Sequence, residues 1–287
     1  MSVAPVDYAW GRQSVWSQTA DRLKDVIGRA RRWALVLGVA GAVIATLAVV
    51  IGLDDVTGQA ASAVAAALVA AAGFFRRRSA LEAVEQWTLA RSAAEALKAE
   101  VHLYLTRSDP YAQADRDERF QSRLDAVEAG VDELLHHARG IDPKDRPLPA
   151  VTDVESYVEH RLTPQIDWYA AKADWQAGRL DLLGRLQLGL GIVGAVLGVV
   201  AAVSATDTVA VWVPVVTTIA GSVAAYVGVE RYEFLLVEYL RTAARLRRLR
   251  DRQSRDGAFV KACEDLIGAQ NDAWLARMTS EEGEGGR

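Results

Sequence analysis

The stretch that decides the fold is WALVLGVAGAVIATLAVVIGL (33–53), then Asp54-Asp55, then VTGQAASAVAAALVAAAGFF (56–75). Neither run carries a charge, and each holds about 20 residues, enough at 1.5 Å per residue to cross a hydrocarbon core of roughly 30 Å. A two-residue acidic connection leaves room only for an antiparallel helical hairpin. The second run is mostly alanine, with Gln59 and Ser62 near its start, and it leans on its partner for insertion. The pattern returns at 186–206 and 208–229, joined through Asp207. Two such pairs with matching charged flanks argue against buried helices of a soluble protein.

Charge placement sets the expected orientation. Arg29, Arg31 and Arg32 precede the first run, and Arg76, Arg77 and Arg78 follow the second. Arg179 and Arg185 precede the third, and Arg231, Arg241, Arg245, Arg247 and Arg248 follow the fourth. The connecting tips carry only acids. By the positive-inside rule, both termini and the long middle segment are expected in the cytoplasm, with two small tips outside the plasma (inner) membrane. The net charge of −4 over 287 residues hides this partition into apolar blocks and charged flanks. The N-terminal MSVAPVDYAWGRQSVWSQTA lacks an apolar core followed by small residues. No cleavable signal peptide is therefore expected, and the first span is expected to serve as the insertion signal.

The polar segments read as helices continuous with the spans. Residues 8–32 lead into the first, and 76–106 continue out of the second until Ser108-Asp109-Pro110 ends them. Residues 115–139 place Phe120, Leu124, Val127, Val131, Leu134 and Leu135 on one face. GIDPKDRPLP (140–149), with three prolines, marks a linker. A short helix is expected over 151–161. Thr163-Pro164 then reads as an N-cap and first helical residue, restarting a helix into the third span. Helix is expected to about residue 255, with a last amphipathic helix over 258–278. The fold class that follows is all-α and integral to the membrane: two tandem two-helix hairpins with long cytoplasmic helical extensions, assembled as an oligomer. The expected division is 1–140, a proline-rich linker at 141–150, 151–278, and a disordered tail at 279–287.

Two flanking motifs carry a resemblance. One is Tyr157-x3-Arg161-Leu162-x2-Gln165-x2-Trp168-Tyr169-x2-Lys172-Ala173, directly before the second hairpin. The other is Trp87-x3-Arg91-x3-Glu95-x-Leu97-Lys98, with Tyr104 and Asp109-Pro110-Tyr111, after the first. Together they resemble the SLATT superfamily, two-transmembrane effector domains associated with SMODS nucleotidyltransferases and SLOG nucleotide sensors. The resemblance covers nearly the whole chain as two tandem copies. It implies a bacterial conflict-system membrane effector that oligomerises and perforates the membrane when a nucleotide signal is sensed, with a cytosolic nucleotide-sensing or nucleotidyltransferase partner. The second copy departs from the first after its hairpin, where Arg231-Tyr232-Glu233 and an arginine-rich run replace the Trp-Arg-Glu pattern.

The remaining candidates are read beside plainer explanations. No GxxxxGK[ST], HExxH or GxSxG occurs, so no catalysis and no cofactor is expected. His136 and His137 are adjacent on a helix and point about 100° apart, a poor metal pair, and no metal is expected. Cys263, the only cysteine, reads as a packing residue. Gly191, Gly194 and Gly198, with Gly41, let helix backbones approach, within a hairpin or between subunits. Pro214, Thr217, Thr218 and Ser222 make the fourth span the candidate pore-lining helix, against simple hydrogen bonding within the membrane. Its proline is expected to free the carbonyl four residues earlier. Asp54, Asp55 and Asp207 are candidates for an external mouth, against helix capping. The arginine runs suit the topogenic signal and anionic lipid, with a nucleotide phosphate or cytosolic sensor as the alternative. No nucleic-acid partner is expected. The leading reading is a pore-forming effector, and the alternative is a non-conducting anchor that presents helices to a soluble partner.

Overall fold

A computed structural model describes residues 4–204, 207–251 and 257–280. The expected disordered tail and the helix end near residue 255 fall largely outside this range. The elements are α1 (Pro5–Ile51), α2 (Val56–Arg78), α3 (Leu81–Leu105), α4 (Arg116–Ala129), α5 (Leu135–Ala138) and α6 (Val154–Tyr157). They continue with α7 (Thr163–Ser204), α8 (Asp207–Ala210), α9 (Trp212–Glu230), α10 (Tyr232–Arg250) and α11 (Gly257–Ser280). No strand occurs among the described residues. Four helical stretches there, Pro5–Ile51, Val56–Leu105, Val154–Val203 and Trp212–Arg250, are long and apolar enough to cross a membrane. The chain is an all-α, multi-pass membrane protein.

Two compact units can be distinguished, and each draws on both halves of the sequence. The membrane unit comprises 26–80 and 174–236. Its large side chains face outward: Val36, Val49, Val64, Phe74, Leu188, Ile192, Val196 and Val199 are all exposed. The third span's apolar window holds no buried residue. In water this exposed surface would drive aggregation; in lipid it is the solvated face. Hairpin 1 closes tightly. Gly52 adopts φ +106°, and a Cβ on Gly58 would fall 2.0 Å from the Gly52 carbonyl oxygen. Only two glycines allow the chain to reverse this sharply. Trp33 stacks on Phe75 at 6.4 Å, and Arg31 pairs with Glu230 of the second hairpin at 3.2 Å.

The polar unit comprises 1–25, 81–173 and 237–287. Its core is built from Trp16, Leu97, Phe120, Leu162, Leu246 and Val260, all fully buried. Amphipathic helices from both halves supply these residues, and α11 packs on α3. The proline-rich stretch at 141–150 is pinned along α1. Trp10 donates Nε1–H to the Pro147 carbonyl at 2.9 Å. The Lys144 backbone N–H reaches Ser14 Oγ at 3.0 Å, and Gln18 donates to the Asp142 carbonyl at 2.9 Å. Arg146 lies over the Trp10 ring, 3.7 Å from its centroid.

Several expected elements differ. The helix over 76–106 is interrupted at Ser79, whose hydroxyl and N–H both turn back to the Arg76 carbonyl. The helix over 115–139 ends at Ala129 because Gly130, a weak helix former, takes the C-cap. A 3-10 turn, Asp132–Leu134, and α5 follow. Thr163 is not an N-cap. The cap lies ten residues earlier, where Asp153 and Ser156 form a reciprocal capping box. From there the chain passes through a π turn, Val158–Leu162, straight into α7. An interior proline cannot donate to the preceding turn and crowds it; the wide turn directly before Pro164 relieves both problems. In the fourth span, helix α9 begins at Trp212, so Pro214 occupies its first turn. The short α8 ends at Ala210, four residues before that proline, and Val211 between the two helices keeps right-handed helical dihedrals, so the break falls where Pro214 withholds a donor from the Ala210 carbonyl. At its far end Arg231, at φ +51°, separates α9 from α10.

Candidate functional site

The side chains of the two flanking motifs converge in the polar unit. The π turn carries Arg161 inward to 4 % exposure. Its Nε and Nη2 donate to the two carboxylate oxygens of Glu264 on α11, both at 3.0 Å, and its Nη1 donates to Gln165 at 2.9 Å. The Tyr157 hydroxyl donates to the same carboxylate at 2.9 Å. Glu95, on α3, pairs with Arg91 at 2.7 Å and lies 3.9 Å from both Lys98 and Arg161. Trp168, Tyr169 and Tyr239 form a ring cluster beside it, with centroids 5.1 to 5.9 Å apart. Trp87 takes the ammonium of Lys24 at 5.5 Å.

This cluster lies beyond the apolar stretches, and its electrostatics are those of crowded cations with buried counter-charges. Burial alone would raise the Glu264 carboxyl. Arg161, by charge and by hydrogen bond, outweighs burial and holds it at about 2. Burial likewise opposes ionisation of Glu95, and Arg91, Lys98 and Arg161 together keep it below the usual carboxylate range. Burial and then the Arg161 charge push Lys98 down to about 8 and His102 down to about 4. The His102 ring donates Nδ1–H to the Lys98 carbonyl at 2.7 Å. Burial and the neighbouring Glu264 raise the Cys263 thiol to about 12, so this fully buried cysteine is a poor nucleophile.

A cleft of about 350 Å³ opens beside the cluster. Five of its lining residues are basic: Arg91, Lys98, His102, His160 and Arg161. Trp10 and Trp168 contribute rings, and no acidic residue lines it. The sequence singled out Arg91, Arg161 and Trp168 as motif positions. It did not single out Glu264, His102 or His160. Glu264 carried a faint signal, as an acid on the otherwise apolar face of the last helix.

In the membrane unit, Pro214, Thr217 and Thr218 are exposed on the chain's own surface and Ser222 is half-buried. Each hydroxyl donates within its own helix: Thr217 to Pro214 at 2.9 Å, Thr218 to Pro214 at 2.7 Å, and Ser222 to Thr218 at 2.8 Å. Gly41 is a close-packing position, since a Cβ there would lie 2.9 Å from Val69. Gly194 faces Val216 at 3.6 Å, whereas Gly191 and Gly198 face open space. Gly189-x-Gly191-x-x-Gly194 has the spacing of a dinucleotide fingerprint but sits inside continuous helix α7. The strand-to-helix turn that gives such glycines their chemistry is missing there. Asp55 caps α2, accepting from the Thr57 N–H at 3.2 Å; Asp54 is exposed beside it. The side chain of Asp207 lies outside the described residues. The His136 and His137 rings lie 3.9 Å apart, tilted by 41°, with His137 3.1 Å from Gln86.

Paired transmembrane hairpins, joined in sequence to helices with a motif-built charge cluster, define a class of multi-pass helical membrane protein with a folded polar unit. Residues 157–274 match the model of the SMODS and SLOG-associating 2TM effector domain 1, so the chain carries a SLATT domain there. Residues 14–119 match a family of unknown function, DUF4231, and the two matches fit a tandem SLATT-type arrangement. Comparison with curated proteins and with solved structures returns no match.

Proposed function

We propose that this chain is a bacterial membrane effector of a nucleotide-linked conflict system, and that it oligomerises to open a path through the plasma membrane. The observation that carries this reading is the exposed pair Thr217 and Thr218 in the fourth span. One chain does not enclose these hydroxyls, so a polar path along them needs further copies. The SLATT match at 157–274 supports the effector role. Both termini and the polar unit lie in the cytoplasm by the distribution of arginines, within reach of a cytosolic nucleotide-sensing or nucleotidyltransferase partner.

A second reading rests on the same hydroxyls. Thr217 and Thr218, like Ser222 on the same helix, already donate within it, which favours a dry, non-conducting anchor that presents the polar unit to a soluble protein. Planar-bilayer conductance of the purified chain, with its mass measured in the same detergent, separates the two. Discrete current steps from an oligomer support the pore. A silent bilayer from a monomer or dimer, also in the presence of cell extract, supports the anchor.

A further inference from the structure

We propose that the cleft between α3, the π turn and the start of α7 is a binding site for a phosphate-class anion. Three fixed cations, Arg91, Lys98 and Arg161, surround it, whereas the balancing carboxylates Glu95 and Glu264 do not reach its wall. Arg161 supplies field rather than contacts, because Nε, Nη1 and Nη2 are committed to Glu264 and Gln165. Lys98 is different. Its ion pair with Glu95 is 3.9 Å long, beyond hydrogen-bond range, so its three donors are not spent there. Arg91 gives Nη2 to Glu95 and keeps a planar fork at the cleft wall, the geometry that matches phosphate oxygens. His160, exposed at the rim, adds a further donor.

A structural ion-pair network alone does not account for this arrangement. Lys98 is half-buried, its side chain 26 % exposed, and holding it protonated beside the Arg161 charge opposes folding. An apolar residue would fill the position at less cost if packing were its only task. A cation retained at a cost, facing an open cleft, matches a site whose counter-charge is a ligand. The volume is at the small end of the ~300–1,000 Å³ range of small-molecule sites, and Trp168, 39 % exposed, offers a ring face beside the cations. The phosphate can come from a soluble ester or from a lipid headgroup. The inference is independent of whether the spans conduct.

The test is calorimetric titration of the full chain in nanodiscs of phosphatidylcholine, with inorganic pyrophosphate and with adenosine monophosphate as probes. Saturable binding is expected, weakened at least tenfold by Lys98→Met and by Arg91→Gln and unchanged by Arg119→Gln, a surface pair partner of Asp115. Thermal unfolding of each variant establishes that it is folded. Competition by nanodiscs containing phosphatidic acid, with the same variant pattern, identifies a headgroup as the source. The inference is overturned if neither soluble phosphate nor phosphatidic acid binds saturably, or if Lys98→Met binds both as tightly as the parent. Binding by a chain that stays a silent monomer or dimer, also in the presence of cell extract, leaves this inference standing and overturns the pore.

Discussion

Arg161 and Glu264 lie 103 residues apart in sequence and form a bidentate ion pair in the centre of the polar unit, with both N–H···O distances at 3.0 Å. Each is at most 4 % exposed. The pair fastens the last helix to the turn that precedes the second hairpin. Its strength depends on completeness, because either charge left alone in that interior would be a heavy liability.

Replacing one partner is therefore expected to cost more than replacing both. Glu264→Ala and Arg161→Met should each destabilise the fold by about 3–5 kcal/mol. The double variant Arg161→Met, Glu264→Leu should recover most of the loss. Chemical denaturation in detergent micelles, followed by circular dichroism, measures all three.

Acid should weaken the polar unit over two successive pH windows. The His102 ring is held at about 4 against an ordinary 6.5, so the unfolded chain takes up that proton first. Its contribution to stability is full above about pH 6.5 and is lost as pH falls through 4. Glu264, held at about 2 against 4.5, behaves with the same sign one window lower, losing its contribution from about pH 4.5 down to 2. Thermal midpoints collected between pH 7 and pH 3 should slope downward, and His102→Gln should flatten the upper part of that slope.

Lys98 is pushed down to about 8, so below that pH the fold carries a cation it disfavours. Lys98→Met is expected to raise the melting temperature at pH 7, with a smaller gain at pH 10, where the parent lysine is largely neutral. A variant that is more stable and binds phosphate less well would show the site and the fold in opposition.

Glycines in the two hairpins should respond differently. Gly58→Ala places a methyl against the Gly52 backbone and is expected to destabilise hairpin 1 by about 1–3 kcal/mol. Gly198→Ala meets no atom within 4 Å in its own chain and should leave the monomer's melting unchanged. If Gly198→Ala alters the oligomeric mass measured by light scattering, the open face of the third span is a subunit contact. Unchanged mass removes Gly198 from the interface.

Thr218 already donates to its own helix at 2.7 Å, so Thr218→Val should change stability by less than about 1 kcal/mol. A change in unitary conductance with unchanged stability places the fourth span at the pore. Cysteines introduced at 217, 218 and 222 that stay closed to aqueous reagent in every state remove it.

The sequence by itself determined the four spans and the tight first hairpin. Uncharged runs such as 33–53 and 186–206, bracketed by arginines, admit one solution in a bilayer, because a backbone in hydrocarbon must satisfy its own hydrogen bonds. Asp54-Asp55 fixed the first reversal by length, although its tightness rests on Gly52 and Gly58, whose clash is visible only in space. The motif residues were legible as residues, and Trp87, Arg91, Glu95, Tyr157, Arg161, Gln165, Trp168 and Tyr169 were all marked. Only tertiary structure decided what they meet. Helical period reports which face of a helix is apolar and is silent on which distant helix covers that face. That is why Glu264 and His102 passed unmarked. The π turn that delivers Arg161 gives no periodic signal either. The charge balance of the cleft is settled by which side chains from α3, α7 and α11 crowd into one low-dielectric volume.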